Sequence, residues 1–325
     1  MSTAALVPET WELTGDDARE TLLHTGRRRL LADAFQRLRV ADGFSHIRSL
    51  AFTVSLVLVQ GLIALVGLAS ALSDTRLGEV IANAVEGALP GPAGQLLTEA
   101  IQQAQGAGAG RKYLALVLGA VGALVTATTA MGQLERGLNR IYGVEQDRPT
   151  LEKYGRAFVL AFSCGALTAI AFVALAWGRE VGDQIDNHFL STLWSWTRWP
   201  LAIVLIAVAV TLLFRWCPRR HQPELSWMAY GATVSVVGWV IVTVALALFF
   251  AVSTSFGETY GPLAGMVALL LWAFLSALAI FFGAAVAAQL EAVRAGNGPT
   301  EPQDAEKVAE SEPDAHPAPV AVGAR

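Results

Sequence analysis

Charge is scarce in this chain of 325 residues, because Lys, Arg, Asp and Glu together make up 15% of it. Soluble domains carry roughly 25%. A helix needs about 20 mostly apolar residues to cross a bilayer. The sequence therefore predicts a polytopic membrane protein and excludes a secreted disulfide scaffold, a cytosolic nucleotide-binding enzyme and a transmembrane β-barrel. Six runs contain no charge at all: 49–73, 113–134, 157–178, 199–214, 225–257 and 259–290.

Metal-binding and nucleotide-binding signals are also missing. The two cysteines, Cys164 and Cys217, are not placed for a stable disulfide. The five histidines are dispersed, no pair has the local spacing of a metal site, and no phosphate-binding G-x-x-x-x-G-K-[ST] motif occurs. We therefore expect no metal, no cofactor and no catalytic residue.

The predicted fold is all-α, with a six-helix transmembrane bundle over residues 49–292. The short fourth run is completed by flanking aromatic residues, among them Trp199 and Trp216, which suit the two bilayer interfaces. If the N-terminus is cytoplasmic, 18 of the 23 Lys and Arg residues lie on the inner side, so the positive-inside rule favours both termini in the cytoplasm. The expected location is the cytoplasmic (inner) membrane, as a multi-pass protein. The predicted spans are 49–73, 113–134, 157–178, 199–216, 226–252 and 261–290.

The segments outside the spans divide into four. Residues 1–22 are expected to be a disordered head, and residues 293–325 a disordered, acidic, proline-rich tail. Residues 23–48 predict an amphipathic helix with an apolar stripe around Leu30 and a basic face that includes Arg37; it lies on the inner leaflet or packs on the bundle. The outer loop 74–112 predicts two helical stretches, 77–89 and 96–104, that cap the bundle or line its outer mouth.

The six charge-free runs contain hydroxyl and amide groups but no Asp, Glu, Lys, Arg or His. A transporter coupled through a midplane carboxylate is therefore disfavoured. Thr126 and Thr129 are candidate contacts for a substrate or lipid, although such groups mostly bond within the bundle. Small residues recur every fourth position from Gly119, which favours close helix packing and leaves homo-oligomerisation open.

The segment 131–149 contains the side chains that are best suited to bind a ligand. Arg136 and Arg140 lie one turn apart beside Asn139, and Arg148 follows close by. Two arginines at this spacing, at headgroup level, are suited to a lipid phosphate or an anionic substrate. The alternative is a positive-inside anchor whose charges are balanced locally by Glu135 and Asp147.

This segment and the sixth span resemble the YihY/virulence factor BrkB family, over roughly residues 35–292. The resemblance implies a six-helix bundle in the cytoplasmic membrane and suspected transport or lipid movement linked to the envelope; members long carried a ribonuclease BN label. The resemblance rests on these residues: Leu138 to Val144, Arg148 and Pro149, Tyr260 and Gly261, Leu271 and Trp272, and Gly283 and Ala284.

Three positions depart from the family pattern. Thr53 replaces a tyrosine, Gln60 replaces a proline, and the family's Gly-Ala-Glu ends here in Ala285. Gln289 and Glu291 follow one to two turns later as the available substitutes for that carboxylate.

Two functions follow as hypotheses. The first is a permease or translocator of lipid or solute linked to the cell envelope, with Arg136, Asn139 and Arg140 at its inner mouth and Tyr260 and Trp272 as further contact candidates. The second is a non-transporting envelope scaffold that organises lipids. The expected partners are membrane lipids and a small anionic solute or lipid substrate. Scattered histidines and a net charge of −4 argue against nucleic acid and a ribonuclease.

Overall fold

The structure is a computed structural model and describes residues 3–71, 89, 91–105, 109–183, 188–253, 260 and 263–296. Every regular element in these ranges is a helix, so the predicted all-α class is confirmed. In chain order the helices are α1 (Gly15–Thr25), α2 (Arg27–Val40), α3 (Gly43–Ala71), α4 (Pro92–Gln105), α5 (Ala109–Tyr142), α6 (Thr150–Asp183), α7 (His188–Trp216), α8 (Leu225–Val252) and α9 (Ala264–Arg294).

Six of these helices are long and apolar enough to cross a membrane, which confirms the polytopic bundle. They overlap all six predicted spans. Five extend further at the end of the bundle where Arg37, Arg136 and Arg220 lie, called the arginine-rich end below, since helical hydrogen bonding continues beyond the last apolar turn, whereas Thr192–Trp216 extends further at its opposite end. Which side of the membrane the arginine-rich end faces stays a prediction. The spans of the structure are Gly43–Leu68, Tyr113–Tyr142, Thr150–Ala171, Thr192–Trp216, Leu225–Val252 and Ala264–Arg294.

Helices α3 and α5 pack closely through glycine. A Cβ placed on Gly67 would lie 2.5 Å from the backbone nitrogen of Leu116, and one on Gly119 would lie 2.6 Å from that of Ala64. Any larger residue at either position would push the two backbones apart. The small-residue face that begins at Gly119 therefore serves packing within the chain.

The N-terminal region differs from the disordered head expected over residues 1–22. Residues 15–25 form α1, and residues 3–14 lie as an extended segment against the end of α5, where Ala4 and Val7 are 1% exposed. The backbone nitrogens of Ala4 and Val7 donate to the carbonyls of Arg140 and Tyr142, at 3.1 Å each. Low local hydrophobicity suggested disorder, but these few apolar side chains are buried by a partner more than 130 residues away.

The amphipathic region expected as one helix over 23–48 is divided between α1, α2 and the start of α3, because Gly26 and Asp42 adopt positive φ angles that end each helix. In α2, Leu30, Ala34 and Leu38 are fully buried against the bundle. This supports the packed alternative. Phe35 remains 44% exposed on the opposite side, so a position on the leaflet stays a prediction.

The last helix is enclosed at its C-terminal end. Every residue of α9 from 283 to 292 is buried, and Arg294 forms ion pairs of 3.0 Å with Asp17 and Glu20 of α1. The first and last helices therefore meet at the same end of the bundle. The predicted tail from residue 297 onward and the helical stretch at 77–88 lie outside the described residues, whereas the second loop stretch, 96–104, is the greater part of α4.

Candidate functional site

Two of the predicted contact residues, Arg136 and Asn139, bind the carboxylate of Asp147. Arg136 Nε and Asn139 Nδ2 each donate to it at 3.2 Å, and Lys153 Nζ donates at 2.9 Å. Burial favours the neutral acid, but the hydrogen bonds from Lys153 and Asn139 outweigh it and hold the pKa of Asp147 below its usual value. The charged carboxylate therefore ties the end of α5 to the start of α6.

Asn139 also fixes the turn that follows α7. Its Oδ1 accepts a 2.8 Å hydrogen bond from the backbone nitrogen of Arg219, and the residue is 0% exposed. With both ends of its amide bonded to protein, Asn139 has a structural position here.

Arg148 is bound to its neighbours in the same way. Its guanidinium lies 3.1 Å from a Glu135 carboxylate oxygen and donates to the carbonyls of Cys217 and Pro218 at 2.8 and 2.7 Å. Burial raises the pKa of the Cys217 thiol, so it stays protonated at neutral pH. The ion pair between Arg148 and Glu135 corresponds to the predicted local balance of charge.

Arg140 is held apart from Arg136. Its Nη1 donates to the Thr3 hydroxyl at 3.3 Å, and its Nε has no hydrogen-bond partner among the described residues. The two arginines therefore contact different groups and do not converge on one site. Of the four predicted residues at this end, Arg140 has the guanidinium least engaged by protein.

The remaining predicted contacts are separated from one another. Thr126 donates to Gln60 Oε1 at 2.7 Å between α5 and α3, while Thr129 bonds to the carbonyl of Val125 in its own helix. Trp272 Nε1 donates to the Thr243 hydroxyl at 3.2 Å, and Tyr260 is 46% exposed. Thr126, Thr129 and Trp272 each bond to a different residue, so these three do not form one site.

A buried charged cluster that sequence reasoning did not identify lies at the arginine-rich end. We define the Glu291 cluster as Thr10, Arg37, Tyr142, Arg220, Gln289 and Glu291. The Glu291 carboxylate is 2.6 Å from Arg220 Nη2 and 2.5 Å from the Thr10 hydroxyl. The side chains of Arg220 and Glu291 are 1% and 0% exposed.

Arg220 reaches three separate segments. Its guanidinium lies 4.7 Å from the centre of the Tyr142 ring, and its Nη2 donates to the carbonyl of Pro8 at 3.0 Å. Its Nη1, like Glu291 Oε2, has no hydrogen-bond partner among the described atoms. The ion pair is thus enclosed but incompletely hydrogen-bonded, an arrangement that is costly to bury.

Arg37 supplies a second positive charge. Its Nε donates to Gln289 Oε1 at 2.8 Å, and its Nη1 donates to the carbonyls of Ala5 and Ile141, both at 3.0 Å. Burial lowers the pKa of Arg37 to about 10, so it remains charged at neutral pH. Two arginines and one carboxylate are therefore held together by the N-terminal segment.

The sequence did contain a signal for this cluster. Arg37 follows Leu30 and Ala34 at helical spacing, which places it in the apolar stripe of α2 and not on the basic face. Arg220 gave no comparable signal, because it follows Arg219 in a short connection where positive charge is ordinary.

The family model of virulence factor BrkB matches residues 34–308 of this chain. The chain belongs to this family. The matched range includes every residue of the Glu291 cluster except Thr10. The family resemblance noted in the sequence is thereby confirmed.

Individual relatives carry two kinds of name, ribonuclease-like protein and membrane protein. The ribonuclease-like protein YfkH of Bacillus subtilis is 25% identical over 269 residues, which cover 80% of this chain and 94% of YfkH. A UPF0761 membrane protein of Aromatoleum aromaticum is 30% identical over 249 residues, and one of Stenotrophomonas maltophilia is 27% identical over 261. These cover 74% and 77% of this chain but 58% of each relative, so the chain spans little more than half their length.

No solved structure matches the chain. Among the described residues, no three His, Cys, Asp or Glu side chains are grouped as a metal ion would require.

Proposed function

We propose that the protein is a permease or translocator of lipid or anionic solute in the cytoplasmic membrane, linked to the cell envelope, and not a ribonuclease. The observation that carries this proposal is the Glu291 cluster. A buried pair such as Arg220 and Glu291 adds little net stability, since desolvation offsets most of its attraction. Ionisable groups enclosed in a membrane protein most often serve a path or a switch.

The segments that contribute to the cluster favour a gate, that is, a contact between segments that closes a path. Its members come from separate segments: the N-terminal segment, α2, the end of α5, the connection after α7 and the end of α9. The extended residues 3–10 bond to the other four segments and cover the cluster at this end. We interpret the arrangement as the closed inner mouth of a translocator, with Arg140 beside it as the first contact for an anionic group.

The second candidate, a lipid-organising scaffold, is favoured by the packing of α3 against α5. The Thr126 and Gln60 hydrogen bond and the close glycine contacts at Gly67 and Gly119 fill the space where a polar path would pass. A scaffold does not open a path through the bundle, so it would keep this packing of α3 against α5 in every state.

Reconstitution distinguishes the two. The full-length protein in liposomes is tested for scrambling of a fluorescent phosphatidylglycerol and for flux of small anions, beside Arg140→Ala and a variant lacking residues 2–10. We expect movement of at least one class of solute, slower in Arg140→Ala and faster without the N-terminal segment. A folded protein that moves none of them, with or without the segment, would contradict translocation and favour the scaffold.

The control is Arg156→Ala. Arg156 is also an arginine at this end of the bundle, but it is half exposed and paired with Glu152 at 3.4 Å. An equal loss in Arg156→Ala and Arg140→Ala would show that general positive charge, and not the inner mouth, sets the rate.

A further inference from the structure

A lateral recess between α3 and α9 has one cationic end and an apolar wall. It has a volume of about 370 Å³ and is lined by Arg48 and Phe52 of α3 and by Leu270, Leu271 and Phe274 of α9. Phe52 is 59% exposed and Leu270 is 37% exposed, so the recess opens to the surroundings of the bundle. On a spanning helix those surroundings are lipid.

Arg48 lies at the level where the bilayer interface is expected. The charge-free run of α3 begins at the next residue, and Phe52 follows one turn further into it. His46, near Arg48, packs against Phe281 of α9 with ring centroids 6.4 Å apart. Because Leu270 and Phe274 precede Phe281, the apolar wall extends from Arg48 into the hydrocarbon region.

No carboxylate among the described residues forms an ion pair with Arg48. Its guanidinium is exposed and donates to the Ser45 hydroxyl at 3.2 Å, while the Asp42 carboxylate accepts from the same Ser45 and forms no ion pair with Arg48. An unpaired arginine at this depth attracts an anionic headgroup, and a planar guanidinium suits a phosphate.

A second recess lacks this combination of an arginine without an ion pair and an apolar wall. It lies between α6 and α7, where Arg156 stands beside Val159, Leu160 and Trp216. There the arginine is already paired with Glu152, so its positive charge is largely balanced.

We propose that the recess between α3 and α9 is a binding site for one anionic phospholipid, with its phosphate on Arg48 and an acyl chain along Phe52, Leu270 and Phe274. The site does not depend on translocation. A scaffold would use this lipid site as readily as a permease, so a negative result in the flux assay would not contradict the site.

Native mass spectrometry of the detergent-solubilised full chain tests the site, with phosphatidylglycerol and phosphatidylcholine of identical acyl chains as probes. We expect wild type to retain phosphatidylglycerol preferentially. Arg48→Gln should weaken that binding about fivefold and leave phosphatidylcholine unchanged, because only the headgroup attraction is lost. Arg48→Lys should restore most of it.

The apolar wall has its own variant. Leu270→Trp should fill the recess and weaken binding of both lipids, whereas Leu248→Trp, at a lipid-facing position of α8 that is 63% exposed, should not. Arg156→Gln is the control for charge. The proposal is overturned if wild type binds the two lipids alike, if Arg48→Gln binds phosphatidylglycerol as wild type does, or if Leu270→Trp has no effect. Should Arg48→Gln fail to fold, Leu270→Trp decides alone.

Discussion

Removing the carboxylate of Glu291 should destabilise the protein far more than removing a charge at its surface. In Glu291→Ala, Arg220 loses its ion-pair partner at 2.6 Å and Thr10 loses its acceptor at 2.5 Å. Arg220, with a side chain 1% exposed, would keep the carbonyls of Pro8 and His221 and the Tyr142 ring, none of which carries a negative charge. A positive charge would then remain buried without a counter-charge.

The magnitude follows from this burial. Breaking a buried pair by removing one partner costs about 3–5 kcal/mol. For a chain of this size, 1 kcal/mol corresponds to about 2 °C in the unfolding midpoint, so we expect Glu291→Ala to unfold about 6–10 °C lower. The half-exposed pair of Arg156 and Glu152 contributes at most about 1 kcal/mol, so Arg156→Gln should shift the midpoint by about 2 °C or less.

The assay is thermal unfolding in one detergent, followed by intrinsic tryptophan fluorescence at a fixed scan rate because membrane proteins often unfold irreversibly. A third variant, Glu291→Leu with Arg220→Met, removes both charges and should recover most of the loss, since no unpaired charge is left. The reasoning is refuted if Glu291→Ala unfolds within 2 °C of wild type, or if the double variant is no more stable than the single one.

Four further predictions concern other parts of the molecule. The pKa of Asp147 is depressed in the folded protein. Its contribution to stability is therefore present above the ordinary pKa near 4 and is lost as pH falls through the lower folded value. In Asp147→Asn, the unfolding midpoint should fall less between pH 7 and pH 3 than it does in wild type. The buried Cys217 thiol should resist a maleimide at pH 8 in native membranes and react after denaturation, as followed by mass spectrometry; equal labelling in both states would contradict its burial. Gly119→Ala should lower the free energy of unfolding by about 1–3 kcal/mol, because its Cβ would meet the backbone of α3. Gly165→Ala is the control: a Cβ there has nothing within 4 Å, so the change should be neutral or slightly stabilising in the same unfolding assay. A fluorescent protein fused to the C-terminus should fold and fluoresce and a phosphatase fusion there should stay inactive, since the distribution of arginine predicts a cytoplasmic C-terminus; an active phosphatase would refute that orientation.

The sequence predicted the parts of the fold that depend on local composition. A long apolar run without charge is stable in lipid as a helix, so five of the six spans were predictable from their length, and the short fourth from its flanking aromatic residues. The spacing from Gly119 predicted close helix packing, because a small residue at every fourth position forms a smooth helix face, and the structure shows that the partner helix is α3.

The candidate site was less predictable because it depends on partners distant in sequence. Arg136 and Arg148 were identified as important from their neighbourhood, but the structure shows them bound to Asp147 and Glu135. Glu291 was considered only as a substitute for a family carboxylate. Its pairing with Arg220, 71 residues away, has no local pattern.

The contact between Thr10 and Glu291 also sets an order of events during synthesis. The two residues are 281 positions apart, and the chain emerges from the ribosome from the N-terminus. The hydrogen bond from Thr10 can therefore form only after the last helix has been made, although Ala4 and Val7 can bond to the end of α5 earlier. A chain interrupted before residue 291 lacks the acceptor of Thr10 and holds its N-terminal segment by fewer contacts, so proteolysis near the N-terminus should be faster in unfinished copies than in completed ones.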